Sequence, residues 1–200
     1  SAPTFAAQMT RRHRALLWNN IDNLNLFNNR VILNRFRSED PGRPFIYWRG
    51  AVATVYRGAR VSCLDEPAVF DYQGRPATRE QEDGSRREGW VEVSPYWAPE
   101  TSLRVCAFDA QDALYGEEGE RCAGPQGSRN PECGCGPELR WCVNTSSRER
   151  IVRSLAESLD RMIEEVFQEG LPYTALFDRQ RIFLDGALTH FFRHHENGRV

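Results

Sequence analysis

Six cysteines constrain this chain more than any other feature: Cys63, Cys106, Cys122, Cys133, Cys135 and Cys142, all inside a loop-rich middle region. The densest stretch is Cys133-Gly134-Cys135-Gly136-Pro137-Glu138-Leu139-Arg140-Trp141-Cys142. An even set in such a region reads as three disulfides formed in an oxidising compartment. Cys133 and Cys135 cannot easily bridge each other, because a disulfide needs a Cα separation and torsion that a one-residue spacing strains. They are expected to reach two different partners among Cys63, Cys106, Cys122 and Cys142. The competing reading is a zinc site built from Cys122, Cys133, Cys135 and Cys142. Zinc takes four thiolate or imidazole ligands, usually as two C-x2-4-C knuckles. Here one knuckle is too tight and the other is missing, which favours disulfides. No spacing is C-x-x-C and no cysteine precedes a histidine, so thioredoxin-type redox chemistry and covalent c-type haem attachment are excluded.

The chain contains no lysine, and its charge is unevenly spread. Residues 1–57 hold nine arginines against three acids, residues 58–147 nine against sixteen, and residues 148–200 eight against nine. The basic first part is expected to pack on the acidic middle of the same chain. No recognised nucleic-acid motif accompanies it, so nucleic acid is not an expected partner. No apolar stretch is long enough to span a bilayer, so no transmembrane segment is expected. The start, Ser1-Ala2-Pro3-Thr4-Phe5, lacks the basic and hydrophobic run of a signal peptide. With oxidised cysteines, the sequence therefore reads as a mature chain or a piece of a longer secreted one.

Three zones separate along the chain, within one domain or a fragment of a larger protein. Residues 1–37 carry helical periodicity, with Leu17, Ile21, Leu24, Phe27 or Asn28, and Val31 at three- and four-residue steps. Asn19, Asn20, Asn23, Asn25, Asn28 and Asn29 would line a polar face of that helix. Residues 38–147 hold the cysteines and most of the glycine and proline. Short β-branched or aromatic runs over 44–48, 51–56, 90–93 and 103–108 predict a small antiparallel sheet. Residues 73–89 read as an exposed charged loop, and 116–137 as irregular. Residues 148–200 return to helix. Thr145, Ser146 or Ser147 caps an apolar stripe of Ile151, Val152, Leu155, Leu159, Met162, Ile163, Val166 and Phe167, and Gly170 ends it. The fold class expected is α+β and mainly helical, with N- and C-terminal helices around a disulfide-stapled insert of short antiparallel strands.

The stretch from Leu171-Pro172-Tyr173-Thr174 through Phe183-Leu184-Asp185 to Leu188 and Phe192 resembles the signature of an uncharacterised family. Its members are helical domains, first noted in planctomycetes, of large secreted proteins that often carry c-type cytochrome modules. The chain keeps the Pro-Tyr-Thr turn, the aromatic Phe183 and the Leu188/Phe192 spacing. It departs from the pattern at Phe177-Asp178 and at Asp185. The resemblance covers about a tenth of the chain and implies an exported helical domain within a larger assembly. Partners would be other domains or subunits of that assembly, a c-type cytochrome among them. It carries no catalytic residue across.

Residues with chemistry of their own are few. His190 and His194 stand four apart, a spacing that suits a metal, but no glutamate follows His190 and no third ligand is evident. Asp109, Asp112, Glu117, Glu118 and Glu120 form an acidic run without the alternating order of a calcium loop. Trp48, Trp90, Trp97 and Trp141, with Tyr47, Tyr56 and Tyr96, give the middle zone aromatic weight that suits a small core or a stacking surface. No cofactor and no catalytic residue is assigned. The function expected is a non-catalytic structural or interaction domain of an exported assembly, periplasmic or extracellular. The alternative is an extracytoplasmic polysaccharide-binding or polysaccharide-degrading module.

Overall fold

A computed structural model of the chain describes residues 2–16, 26–124, 126–178 and 181–195. Contacts group the chain into two units, Phe27–Ser147 with His194–Val200, and Ser1–Leu26 with Arg148–Arg193.

The first unit carries six strands: β1 Asn34–Arg37, β2 Phe45–Trp48, β3 Arg79–Glu80, β4 Arg86–Arg87, β5 Trp90–Val93 and β6 Leu103–Cys106. Four of them form one sheet in the order β1-β2-β6-β5, and β3 pairs with β4. Asp40-Pro41-Gly42 turns β1 back on β2, with the Asp40 carboxylate accepting from the Gly42 amide at 2.9 Å. Strand side chains alternate between faces, and each face of this sheet seats one disulfide. On one side Leu33, Val105 and Leu139 enclose Cys135 and Cys142, with Tyr47, Val93 and Trp97 packed around them. On the other, Ile46 lies against Cys63 and Cys106 under Phe36, Trp48 and Trp90. Ile46 and Val105 are fully buried, and burial of side chains of this size contributes about 1.5–3 kcal/mol each.

The sheet corrects the expected fold class. The chain is α+β, 34% helix and 15% strand, so it is not mainly helical, and its sheet is mixed rather than antiparallel. The central pair β2–β6 is parallel, with Ile46 opposite Arg104 and Tyr47 opposite Val105. Parallel neighbours need a long crossover, and here the chain from Arg49 to Ser102 supplies it. Residues 34–37, expected in helix, are an edge strand because Phe36 gains a partner in Ile46 across the β1–β2 ladder. Residues 51–56, expected in strand, form helix α2 (Ala53–Arg57) instead. Ala53, Tyr56 and Arg57 fall on one buried helical face, and Gly58 closes the helix at φ 73°, a left-handed conformation that glycine adopts without strain. Residues 73–89, expected as an exposed loop, are mostly exposed but ordered, falling in one turn closed by the Phe70–Pro76 bridge and a second closed by the β3–β4 pair. Leu17, Ile21 and Leu24, with Asn19, Asn20, Asn23 and Asn25, lie outside the described residues.

The second unit holds helices α1 (Ala2–Leu16), α3 (Thr145–Gln168, whose first three residues fall in the first unit), α4 (Ala175–Asp178) and α5 (Gly186–His194). The start of α3 is capped by Asn144, not by the hydroxyl residues expected: its carboxamide accepts from the Ser147 amide at 2.8 Å, and the Ser147 hydroxyl accepts from the Asn144 amide at 3.0 Å. The buried stripe of α3 includes Ile151, Ile163 and Val166 but also Ser154 and Ser158. Those serines are partnered, Ser154 donating to Asp185 and Ser158 accepting from the Phe183 amide at 3.0 Å. Asp185 also accepts from the Leu188 amide, which makes it the cap of α5. His13 of α1 is buried and stacks on Tyr173 at 5.0 Å.

The β3–β4 turn makes a measurable prediction. Hydrogen bonds from the Ser85 hydroxyl and amide, with Arg87 beyond them, hold the Asp83 carboxyl down to about 2. Because the folded value is depressed, the stabilisation is present above the ordinary carboxylate range and is lost as pH falls toward 2. An NMR titration of Asp83 should give that low midpoint. A midpoint at the value of a free aspartate would show that the turn is not pinned.

Candidate functional site

Two features of the first unit concentrate chemistry: a buried cluster of charges and an exposed apolar turn. The cluster is assembled from four separate segments. Arg49 follows β2, Arg57 ends α2, Glu88 precedes β5 and Asp109 follows β6. Arg57 and Asp109 are 0% exposed, Glu88 1% and Arg49 3%. Arg57 grips Glu88 with both Nε (3.1 Å) and Nη2 (2.6 Å), and its Nη2 also donates to Asp109 Oδ2 at 3.0 Å. Asp109 Oδ1 accepts from Arg49 Nε at 2.9 Å. Arg49 Nη2 then donates to the Tyr56 hydroxyl and to the Cys133 carbonyl, and the Tyr56 hydroxyl donates to that same carbonyl at 2.9 Å. Two cations and two anions leave the cluster neutral, which is the condition for burying charge at all.

Burial shifts the titration of two groups here, Glu88 and Tyr56. It lifts the Glu88 carboxyl above the usual carboxylate range, opposed by the Arg57 guanidinium. It pushes the Tyr56 phenol up to about 12, against the pull of Arg49. The Glu88 carboxylate also lies within 4.8 Å of the Cys63 and Cys106 sulfurs. Those sulfurs are bonded to each other and the carboxylate is held by Arg57, so the group has no free donor set for a metal.

All six cysteines are paired, as Cys63–Cys106, Cys122–Cys133 and Cys135–Cys142. The thiolates that a zinc site would need are thereby consumed. Disulfides on this scale belong to an oxidising, extracytoplasmic compartment. Among the described residues, no helix is long and apolar enough to cross a membrane. His190 and His194 sit one turn apart on α5, and among the described residues no set of three potential donors gathers at them. The acidic run divides. Asp109 enters the buried cluster, while Glu117, Glu118 and Glu120, with Glu132 and Asn130, line an open depression of about 570 Å³. Among the described residues, no three of these carboxylates converge closely enough to hold a cation. Trp48, Trp90 and Trp97 pack on the sheet clusters, and the Arg104 guanidinium covers the Trp90 ring at 4.2 Å.

The exposed turn runs from Val69 to Ala77. Phe70 and Pro76 form a bridge across it. The Asp71 carboxylate accepts from the amides of Gln73 and Arg75, both at 2.9 Å, and the Asp71 amide donates to the Arg75 carbonyl. The braced turn displays Tyr72 at 94% exposure, Val69 at 64% and Phe70 at 49%. Its base is fixed by close backbone approach: a Cβ at Gly89 would stand 2.4 Å from the Glu66 carbonyl oxygen, so only glycine fits there. A slot of about 200 Å³ opens beside Val69, between the Glu66–Arg79 ion pair and Thr78.

Sequence reasoning did not single out Arg49, Arg57 or Glu88, nor this turn. A signal was present for the cluster: lone charges interrupt apolar runs at Trp48-Arg49-Gly50, Val55-Tyr56-Arg57 and Ala107-Phe108-Asp109-Ala110. Compared with family models, curated proteins and solved structures, the chain matches none.

Removing one member of the cluster should be far worse than the average substitution. Arg57→Met strands Glu88 and Asp109 without their cation, and a loss of about 3–5 kcal/mol is expected in urea unfolding. A change under about 1 kcal/mol would mean that the charges are not sealed from water. At the alkaline end, burial also lifts the Tyr96 phenol to about 12. Raised folded values mean that this stabilisation is intact below about pH 10 and lost as pH climbs through 12. Spectrophotometric titration should therefore show a late phenolate step that disappears in Tyr56→Phe/Tyr96→Phe.

Proposed function

We propose that this chain is an interaction domain of an exported assembly, working in the periplasm or outside the cell, and that the turn at Val69, Phe70 and Tyr72 contacts its protein partner. The carrying observation is the contrast between the two features of the first unit. The buried charges pair with each other, whereas three large apolar side chains stand in water on a turn held by five hydrogen bonds from backbone amides. Exposed aromatic groups on a rigid support are the usual anchors of protein interfaces, because little conformational freedom remains to be lost on binding. Three disulfides support an exported location. The resemblance over residues 171–192 makes a cytochrome-bearing subunit of the same assembly the first partner to test.

A photoreactive phenylalanine at position 72, expressed in the native host, tests this reading. It should cross-link to one exported protein, with the yield falling at least tenfold when Phe70→Ser is added, since truncation of a central aromatic anchor weakens binding by that order or more. The same probe at exposed Gln126 is the control. Equal labelling patterns from positions 72 and 126 would rule out the turn as a specific contact.

A further inference from the structure

We propose that the fold of the first unit is conditional on oxidation: the buried charge cluster can be sealed only after the disulfides form, so the reduced chain stays open. Each disulfide touches the cluster. The Cys63–Cys106 sulfurs flank the Glu88 carboxylate within 4.8 Å, and the Cys106 carbonyl accepts from the Asp109 amide at 2.9 Å. The Cys122–Cys133 bridge fixes the Cys133 carbonyl that receives both Arg49 and Tyr56. The Cys135–Cys142 bridge anchors the Cys135 amide, which donates to the Asp109 carbonyl at 2.8 Å.

The physical logic is one of completeness. A neutral cluster of two guanidinium and two carboxylate groups is tolerable in the interior, but leaving out any one of the four strands a buried charge without its partner. The four charges come from four separate segments, and the Cys133 carbonyl from a fifth. Gathering them requires closing several loops at once. The disulfides, with sequence separations of 43, 11 and 7, close those loops in advance. Glu88 lies within the loop closed by Cys63 and Cys106, Arg57 and Asp109 lie just outside its two ends, and Cys133 is itself an end of the second bridge. Each bridge forms when two thiols give two electrons and two protons to a disulfide donor, which leaves as two thiols. In a reducing compartment no such donor is available, and the incomplete cluster opposes closure. After export the same chain oxidises, completes the cluster and shuts. Once shut, five of its six cysteines are at most 2% exposed and Cys122 is at 6%, so a reductant reaches the bridges only through unfolding.

The test begins with the wild-type chain, unfolded and reduced in denaturant, then returned to native buffer with dithiothreitol still present. Near-UV circular dichroism should stay flat, and amide protection over 53–57 and 103–111 should be absent. Replacing the reductant with oxidised glutathione should restore both. A second chain carries Arg49→Met, Arg57→Met, Glu88→Met and Asp109→Leu, which removes the charges while keeping volume. It should keep native circular dichroism and amide protection when reduced. Native structure in the reduced wild type would overturn the proposal. So would a quadruple variant that folds when oxidised but opens on reduction as the wild type does, because the dependence would then belong to the bridges alone. If the quadruple variant does not fold at all, Cys122→Ala/Cys133→Ala in a Tyr96→Phe background decides, since Tyr96 would otherwise supply a second phenol near 12. Loss of that bridge should let the Tyr56 phenol fall from about 12 toward the free value near 10. A phenol that still ionises near 12 would mean that the cluster seals without the bridge, and the proposal would fail.

Discussion

Four buried charges set the terms for the first unit. Arg49, Arg57, Glu88 and Asp109 come from four separate segments, and each one is acceptable in the interior only because its oppositely charged partners are there. Such clusters are poor sources of net stability compared with apolar packing of equal volume. Their effect is on uniqueness: an arrangement that misplaces any of the four segments leaves an uncompensated charge. This requirement positions α2, the start of β5, the end of β6 and the Cys133 loop relative to one another. The apolar clusters on the two faces of the sheet then fill the space so defined.

The Cys135–Cys142 loop shows the same dependence at smaller scale. Glu138 and Leu139 both adopt left-handed backbone, at φ 55° and 60°, although neither is glycine. Conformations of this kind cost about 1–3 kcal/mol each and persist only where the surroundings over-determine them. Here the surroundings are a disulfide, a fully buried Leu139 side chain and a bond from the Tyr96 amide to the Glu138 carbonyl at 2.9 Å. A linear peptide of this sequence has none of those supports.

What could be read from sequence divides along the line between local and distant causes. β5 spans the residues 90–93 expected, α3 carries the apolar residues of its periodic stripe, and Gly170 stands two positions past its last residue with φ 63°. These depend on neighbours within a few positions. α2 was misread because Ala51-Val52-Ala53-Thr54-Val55-Tyr56 has strand-like composition; its helix follows from burying Tyr56 and Arg57 against groups more than thirty residues away. The parallel pairing of β2 with β6 has no local signature either, since it rests on the whole crossover between them. Of the candidate site, the cysteines were legible as a set because their chemistry is fixed by type. The charges that join them were not, because arginine and glutamate are ordinarily surface residues and only their tertiary partners make burial possible.

The parallel seam at the centre of the sheet also bears on how this fold can vary. Everything between Arg49 and Ser102 leaves from one central strand and returns to the other, with its own hairpins largely outside the sheet. Loop-closure entropy rises only with the logarithm of length, about 0.6 kcal/mol for each doubling. Residues added at the tip of that excursion, beyond Asp71 or Gly84, would therefore burden the seam very little. The sheet acts as a fixed frame, and the crossover is the place where related chains can lengthen, shorten and exchange contact residues while the frame stays the same.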